Sequence, residues 1–256
     1  MHRTAMNYHQ LPPRAILKDL VRCYWWLDND TNQNLQFTIL PDGCFDLIIS
    51  FENYEQKKIS LTGIWSKQTK IDIPPNTQFF GIQFRLLAVD YIIQQHIAEL
   101  FNNQKELENN YWNLNTISFF NNKKESIAEY LDQHLLRILQ GQKEIDSKKI
   151  RLFRFLYQSK GNETTTYYAE QVFWSRRQIT RYFKIRFGLS FKKYCNIIKC
   201  SSSFKHLKKG QLYPEQNYFD SSHFIKAIKK HTGSTPKELY ANENDRFLQF
   251  CILPDT

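Results

Sequence analysis

Long apolar runs are missing from this sequence. No run reaches the roughly 18 apolar residues that a bilayer-spanning helix requires. The first residues, MHRTAMNYHQLPPR, also lack the apolar stretch of a secretory signal. We therefore expect neither a membrane-spanning segment nor export, and we expect the protein to be cytoplasmic.

Glycine-rich phosphate loops and paired cysteines are missing as well. The chain has 8 glycines, and they form neither a Walker pattern nor a dinucleotide-binding pattern. Its 5 cysteines are odd in number and show no CxxC spacing, which fits reduced thiols better than a disulfide framework. We predict that the cysteines are small buried hydrophobic residues; they are Cys23, Cys44, Cys195, Cys200 and Cys251.

Acidic residues are scarce in one part of the chain only. Residues 1–147 carry 14 Lys and Arg against 17 Asp and Glu, whereas residues 148–256 carry 21 against 8, so the net charge of +10 comes from the second part. A cationic face binds a polyanion mainly by displacing counterions from phosphates, which favours nucleic acid as the partner. A membrane surface and a solvated face without a specific role are the alternatives. With so few acids, general acid/base catalysis is poorly supplied, and we expect no enzyme activity.

Two hydrophobic patterns divide the chain. From Arg22 to Leu86, short runs rich in aromatic and β-branched residues alternate with turn signals such as PDG and DIPPN, which predicts an antiparallel sheet or a small barrel. From about Leu87 onward, apolar residues recur three and four apart in AVDYIIQQHIAEL, ESIAEYLDQHLLRIL and KKIRLFRFLYQ, which predicts helices. The polar stretch LQGQKEIDSKK is the predicted linker. We predict an α+β protein with a β-rich sensor or dimerisation domain over residues 1–145 and an all-α domain over residues 146–256.

The basic part contains an internal repeat. SRRQITRYFKIRFGLSF (175–191) aligns with DSSHFIKAIKKHTGSTP (220–236). Each copy has an N-cap residue, an i, i+4 apolar pair and a glycine suited to the left-handed C′ position; the aligned pairs are Ser175 with Asp220, Ile179 with Phe224, Phe183 with Ile228, and Gly188 with Gly233. The sequence thus predicts two similar helices with cationic and polar outer faces.

The segment between the two copies also has helical spacing. If residues 191–209 form one helix, they make a spacer of roughly 28 Å. That length approaches the roughly 34 Å between successive major-groove faces on one side of B-DNA. One chain is therefore predicted to reach two adjacent grooves.

Histidines and cysteines of the basic part are poorly placed for a metal ion. His223 and His231 are about 80° apart on a helix and two turns distant, which is too far for one tetrahedral ion. Cys195, Cys200 and His206 fall on different helix faces. We expect neither a metal site nor a cofactor.

The repeat resembles a known family. SRRQITRYFKIRFGLSFKKY followed by NYFDSSHFIKAIKKHTGSTPKELY is similar to the C-terminal domain of the AraC-type transcription regulators, and the match covers about residues 165–240. More weakly, VRCYWWL, ILPDGCFDLIISF, LTGIW, FFGIQFR and NDRFLQF resemble a branch of that family with a β-rich N-terminal domain. The resemblance implies a double helix-turn-helix C-terminal domain whose two units are joined by a long helix.

The resemblance also implies roles for individual residues. In the first recognition helix it assigns base contacts to Arg177, Thr180 and Arg181, and phosphate contacts to Arg176 and Lys184. In the second helix it assigns base contacts to Ser222, His223 and Lys226, with Ser221 near the DNA backbone. The alternative for the second helix is that it only clamps phosphates.

Three residues depart from the family pattern. Phe173 takes a small-residue position in the first turn, and Asn217 replaces the usual glycine in the second. Pro214 stands where the supporting helix of the second unit should run. Because proline breaks a helix interior, we expect that helix to be short or to start at Pro214.

Signals in the β-rich part are weaker. Its aromatic residues predict either core packing or the lining of a small-molecule pocket; they are Tyr24, Trp25, Trp26, Phe45, Trp65 and Phe84. The apolar stripe of residues 125–139 predicts either a dimer seam or an intramolecular contact. Asp42 and Gly43 are expected in a turn. An enzyme site would need a cluster of the scattered residues Asp42, Asp46, Asp90 and His96.

These patterns lead to one functional hypothesis and one alternative. The hypothesis is a sequence-specific transcription regulator that reads two adjacent major-groove segments of double-stranded DNA. A small-molecule effector and a second copy of the chain are candidate partners of the N-terminal domain, and RNA polymerase is the expected partner of an activator. The alternative is a sequence-indifferent nucleic-acid-binding protein whose β-rich part binds a partner.

Overall fold

The computed structural model places a β-rich half before a helical half, which confirms the predicted α+β class. It describes residues 6–142, 144–213, 218, 220–242 and 247–248. The described strands are β1 (Met6–Leu11), β2 (Val21–Asn29), β3 (Leu35–Ile39), β4 (Phe45–Glu52), β5 (Glu55–Thr62), β6 (Thr69–Ile73), β7 (Thr77–Phe84) and β8 (Gln104–Leu107). Six of them form an antiparallel sheet in the order β1-β2-β7-β4-β5-β8, and β3 pairs with β6.

Side chains of β2, β4 and β7 alternate between the two faces of the larger sheet, as the period of a strand requires. Tyr24, Leu47 and Ile82 are in register on one face and are all buried. On the other face Trp25 lies opposite Gly81, where a Cβ atom would collide with the indole ring. One face thus forms the main core, and the other packs toward β3 and β6.

Helices follow the strands. The described ones are α1 (Ser118–Asn121), α2 (Lys124–Gln140), α3 (Ser147–Gln158), α4 (Thr165–Val172), α5 (Arg176–Phe187), α6 (Phe191–Ser202), α7 (Phe204–Lys208), α8 (Ser221–Thr232) and α9 (Pro236–Ala241). The predicted linker contains the break between α2 and α3, and Asp146 caps α3 by accepting a hydrogen bond from the Lys148 backbone N–H. The division into domains at residue 145 remains a prediction.

The apolar stripe of α2 makes an intramolecular contact. Ile127, Leu131 and Leu135 are buried in the main core, and the helix packs against β1 and the turn that begins at Val89. Of the two interpretations of this stripe, the structure supports packing within the chain.

Two sequence-based expectations about helices are wrong. The segment after Leu87 holds only a π-helical turn (Val89–Ile93) and a 3-10 turn (Ala98–Leu100), because Gln94 adopts a left-handed conformation that ends the first turn. The predicted 19-residue spacer ends at Ser202, so α6 is about 18 Å long. Its serines donate hydrogen bonds to carbonyls of the preceding turn, for example Ser202 Oγ to Lys199 O at 2.8 Å, and such bonds compete with helix continuation.

The four cysteines that the structure describes, Cys23, Cys44, Cys195 and Cys200, are free and buried, as predicted, while Cys251 lies outside the described residues. Within the described ranges, no helix has both the length and the apolar composition needed to cross a membrane.

Candidate nucleic-acid interface

α4 and α5 are the two helices of the predicted first helix-turn-helix unit. Phe173, between them, adopts a left-handed conformation with φ of 54° and is 78% exposed, so this bulky residue occupies the turn without entering the core. Ser175 caps α5, because its hydroxyl accepts from the Gln178 backbone N–H at 3.1 Å. The Ser175 backbone N–H in turn donates to the side-chain oxygen of Gln178. The cap and the turn define where α5 begins.

One face of α5 is buried and the other is open. Ile179, Phe183 and Phe187 pack into the main core. The five residues assigned to DNA on this helix are all exposed; they are Arg176, Arg177, Thr180, Arg181 and Lys184. None of the four cations forms an ion pair among the described residues, and the first turn carries no acid. This face therefore presents donors and positive charge outward.

The other basic residue of α5 points inward. Arg186 Nε lies 2.6 Å from Asp90 Oδ1, and Lys149 Nζ lies 2.6 Å from Asp90 Oδ2. The Tyr182 hydroxyl donates to the same carboxylate at 2.7 Å. Asp90, whose side chain is 7% exposed, thus binds two helices of the helical half. The sequence patterns do not indicate this role of Arg186.

The second copy of the repeat forms α8, while α7 lies within residues 191–209, which were predicted as the spacer. The Asp220 carboxylate caps α8 by accepting from the His223 backbone N–H at 2.7 Å. Phe224 and Ile228 are buried in a smaller core with Phe204 and Leu207. The place expected for the supporting helix, at Pro214, and the departure at Asn217 lie outside the described residues, as does the NDRFLQF segment apart from Phe247 and Leu248.

The outer face of α8 repeats the arrangement of α5. Ser221, Ser222, His223 and Lys226 are exposed. The imidazole of His223 lies beside Tyr218, with 5.7 Å between the ring centroids. All nine residues assigned from the sequence thus lie on the exposed faces of two capped helices.

His231, on the same helix, has a different environment. It is buried, and its Nδ1 lies 3.0 Å from the carbonyl oxygen of Ser66 in the β-rich half. Burial is the main cause that lowers the pKa of His231; the hydrogen bond to Ser66 opposes it, and the charges of Lys230 and Lys193 add to it. The neutral ring is therefore favoured, with Nδ1–H as the donor to the carbonyl. The two histidines of α8 therefore do not share a ligand, and the described residues include no group of three His, Cys, Asp or Glu side chains arranged for a metal ion.

The β-rich half contacts the C-terminal ends of α5 and α8. The Ile97 backbone N–H donates to the Arg186 carbonyl at 2.9 Å, and the Gln68 N–H donates to the His231 carbonyl at 3.0 Å. The loop at Gly43 contacts α6, where the Tyr194 hydroxyl donates to the Gly43 carbonyl at 2.8 Å. Contacts with the β-rich half thus position the helices while their outer faces stay open.

Asp42 and Gly43 form the predicted turn. Gly43 has φ of +80°, and Asp42 Oδ1 accepts from the Cys44 N–H at 2.9 Å. Asp46 is nearby and accepts from Trp25 Nε1 at 2.9 Å; burial and the charge of Asp42 raise its pKa to about 7.

The scattered residues considered for an enzyme site come together only in part. Asp42 and Asp46 are neighbours, but Asp90 is occupied by Lys149 and Arg186, and His96 is exposed. Burial raises the pKa of the Cys44 thiol near the two acids to about 12, so it is not an activated nucleophile.

The aromatic residues of the β-rich half serve mostly as core. Tyr24, Trp26, Phe45 and Phe84 are buried, whereas Trp25 and Trp65 are half-buried. Two pockets of about 450 and 460 Å³ lie in the helical half, one beside α6 and α7 and one on the outer side of α3. Neither is lined by these aromatic residues.

Comparison with known proteins gives one family and a set of solved structures. Residues 9–106 match the family described as Domain of unknown function (DUF6597), which lies within the β-rich half. No curated protein matches the chain.

The solved structures are of ToxT from Vibrio cholerae, an AraC-family regulator. An apo ToxT variant is 10% identical with a TM-score of 0.44, over 93% of this chain and 97% of that chain. ToxT bound to (E)-4-(8-methylnaphthalen-1-yl)but-3-enoic acid is 13% identical with a TM-score of 0.42, over 92% and 97%. A further ToxT structure is 13% identical with a TM-score of 0.41, over 93% and 98%. Because these TM-scores are below 0.5, the comparison assigns no role to any residue of this chain.

Proposed function

We propose that this protein is a sequence-specific, DNA-binding transcription regulator of the AraC type. One observation carries the proposal: α5 and α8 each begin at a side-chain cap, bury an i, i+4 apolar pair and expose a polar, cationic face. A solvated basic surface does not require two copies of this arrangement. Two short helices with open cationic faces suit the major groove, which accepts a helix and displays a distinct donor and acceptor pattern for each base pair.

Each helix supplies the groups that such binding needs. On α5, Arg177, Thr180 and Arg181 are the base-reading residues, since an arginine can donate two parallel bonds to guanine. Arg176 and Lys184 contact phosphates beside them. On α8, Ser222, His223 and Lys226 face the next groove, and Ser221 lies at the DNA backbone. The cap at the start of each helix keeps these side chains at a fixed position.

Selection from a random pool of duplexes, with the full chain, tests this function. We expect enrichment of a motif with two conserved blocks about one helical turn apart, because two helices on one side of B-DNA reach successive major grooves. A pool that binds without any enriched motif would instead support the alternative, a sequence-indifferent nucleic-acid-binding protein. Failure to retain any duplex at low salt would refute both.

The remaining partners follow from this proposal. The β-rich half is the site for a small-molecule effector or for a second copy of the chain, and RNA polymerase is the partner if the protein activates transcription. The protein acts in the cytoplasm and uses no catalytic residue. Repeating the selection with cell extract tests the effector: a change in the amount of bound duplex with an unchanged motif indicates control through the β-rich half.

A further inference from the structure

Four lysines from separate elements lie together where the β-rich half meets both recognition helices. Lys184 belongs to α5, Lys193 to the first turn of α6, and Lys230 to α8. Lys67 lies in the loop before β6. All four are exposed. We call them the junction lysines.

Backbone bonds fix the position of Lys67 beside α8. The residue before it, Ser66, accepts from the His231 imidazole at 3.0 Å, and the residue after it, Gln68, donates its backbone N–H to the His231 carbonyl at 3.0 Å. Lys230 directly precedes His231. Lys67 is therefore held at the C-terminal end of the second recognition helix by two bonds that do not involve its own side chain.

Lys193 links this site to the first recognition helix. Its ammonium group lies 4.4 Å from the centroid of the Phe101 ring in the β-rich half. The pKa of Lys193 is lowered, first by partial burial and then by the positive charges of Lys67, Lys230 and Lys184. The last turn of α5, which includes Lys184, meets the same segment of the β-rich half, because the Ile97 backbone N–H donates to the Arg186 carbonyl at 2.9 Å.

Acidic side chains do not offset this repulsion. Among the residues that the structure describes, none of the junction lysines forms an ion pair. Like charges held together raise the free energy of the folded protein, and a bound anion removes that cost. The arrangement fits a ligand that carries several negative charges along its length.

We propose that the junction lysines bind backbone phosphates of the DNA that lies between the two major-groove segments, and that Lys67 thereby makes the β-rich half part of the DNA-binding surface. The inference rests on the proposed function. Lys184 supports it, because this residue lies on the open face of α5 and in the last turn of α5, which meets the β-rich half, so the two surfaces are continuous. Neither the repeat nor the family resemblance assigns a DNA contact to Lys67.

Binding of the full chain to its selected duplex, measured by fluorescence anisotropy over a series of salt concentrations, tests the inference. Each phosphate contact contributes about 0.9 to the slope of log K against log salt. We expect Lys67→Ala to reduce the slope by about 1 and to weaken binding about threefold to tenfold, equally on selected and unrelated duplexes. Lys67→Arg should retain the slope. The matched control is Lys58→Ala, an exposed lysine on β5 that is not one of the junction lysines, which should change neither quantity.

The outcomes separate the two proposals. If the wild-type protein enriches a motif but Lys67→Ala behaves like Lys58→Ala, the role of Lys67 is refuted and the proposed function stands. If no motif is enriched by the wild-type protein, the proposed function fails first. If Lys67→Ala weakens binding of inorganic phosphate and leaves the DNA salt slope unchanged, the cluster is a site for a small anion, and the inference is overturned.

Discussion

The hydroxyl group of Tyr182 donates a 2.7 Å hydrogen bond to the carboxylate of Asp90, and this bond joins α5 to the β-rich half. Burial, together with the neighbouring carboxylate, holds the pKa of Tyr182 well above its ordinary value, so the hydroxyl keeps its proton and remains a donor. The same carboxylate pairs with Arg186 and Lys149. One buried acid thus fixes the position of α5 relative to the sheet.

Replacing Asp90 should therefore destabilise the protein. Asp90→Asn keeps the size of the side chain but leaves Arg186 and Lys149 without their counter-charge, and we expect a loss of about 2 to 4 kcal/mol in the free energy of unfolding. Urea denaturation at pH 7 measures it. The control is the exposed acid Glu108, where Glu108→Gln should change stability by less than about 0.5 kcal/mol. Equal effects of the two substitutions would show that the pairs at Asp90 contribute nothing.

His231 should make stability depend on pH. Its pKa is lowered in the folded state, so between the folded and unfolded values the unfolded chain binds more protons. The stability that His231 contributes is complete above its unfolded pKa, about 6.5, and is lost as the pH falls below it. Comparing urea midpoints at pH 7.5 and pH 5.5 for the wild type and His231→Asn, which retains a donor for the Ser66 carbonyl, should show a smaller loss on acidification in the variant.

Two further measurements isolate this effect. His223→Asn, on the exposed face of the same helix, should leave the pH dependence of the wild type unchanged. Asp46 acts in the opposite direction, because its pKa is raised to about 7 in the folded state. The folded protein therefore loses stability as the pH rises from the pKa of Asp46 in the unfolded chain toward 7. Asp46→Asn should therefore steepen the loss of stability on acidification. An identical pH dependence in wild type and His231→Asn would contradict the assignment of a neutral buried imidazole.

Gly188 should resist substitution for two reasons. Its φ is +78°, and a Cβ atom there would collide with the carbonyl oxygen of Ala98 in the β-rich half. We expect Gly188→Ala to cost about 1 to 3 kcal/mol. Gly141 provides the control, because it ends α2 with φ of −80° and has open space around it, so Gly141→Ala should be nearly neutral. Thermal or urea unfolding of both variants checks the difference.

Local features of α5 and α8 could be predicted from the sequence. Ser175 and Asp220 are caps, Ile179 and Phe224 are buried, and Gly188 and Gly233 adopt left-handed conformations, as the repeat indicates. These features depend on residues three to five apart, and the repeat displays them twice. The exposure of the outer faces follows from the same pattern.

Contacts between distant parts of the chain could not be predicted. Asp90 and Arg186, or Gln68 and His231, lie far apart in the sequence, and nothing in their local sequence marks them as partners. The break at Ser203 also escaped prediction, because the segment contains neither proline nor glycine and ends through serine bonds to its own backbone. Asp90 was noted only as a scattered acid, and its local sequence did not indicate its partners.

Duplex selection repeated with Arg181→Ala and Lys184→Ala tests the central claim most directly. Both residues are exposed on α5, but only Arg181 is assigned to a base. We predict that Arg181→Ala costs about 1 to 3 kcal/mol on the selected duplex and relaxes the preference at one base position, whereas Lys184→Ala weakens binding to all sequences alike. If both variants lose affinity equally on every sequence and the selected motif is unchanged, α5 does not read bases and the protein is not the sequence-specific regulator proposed above.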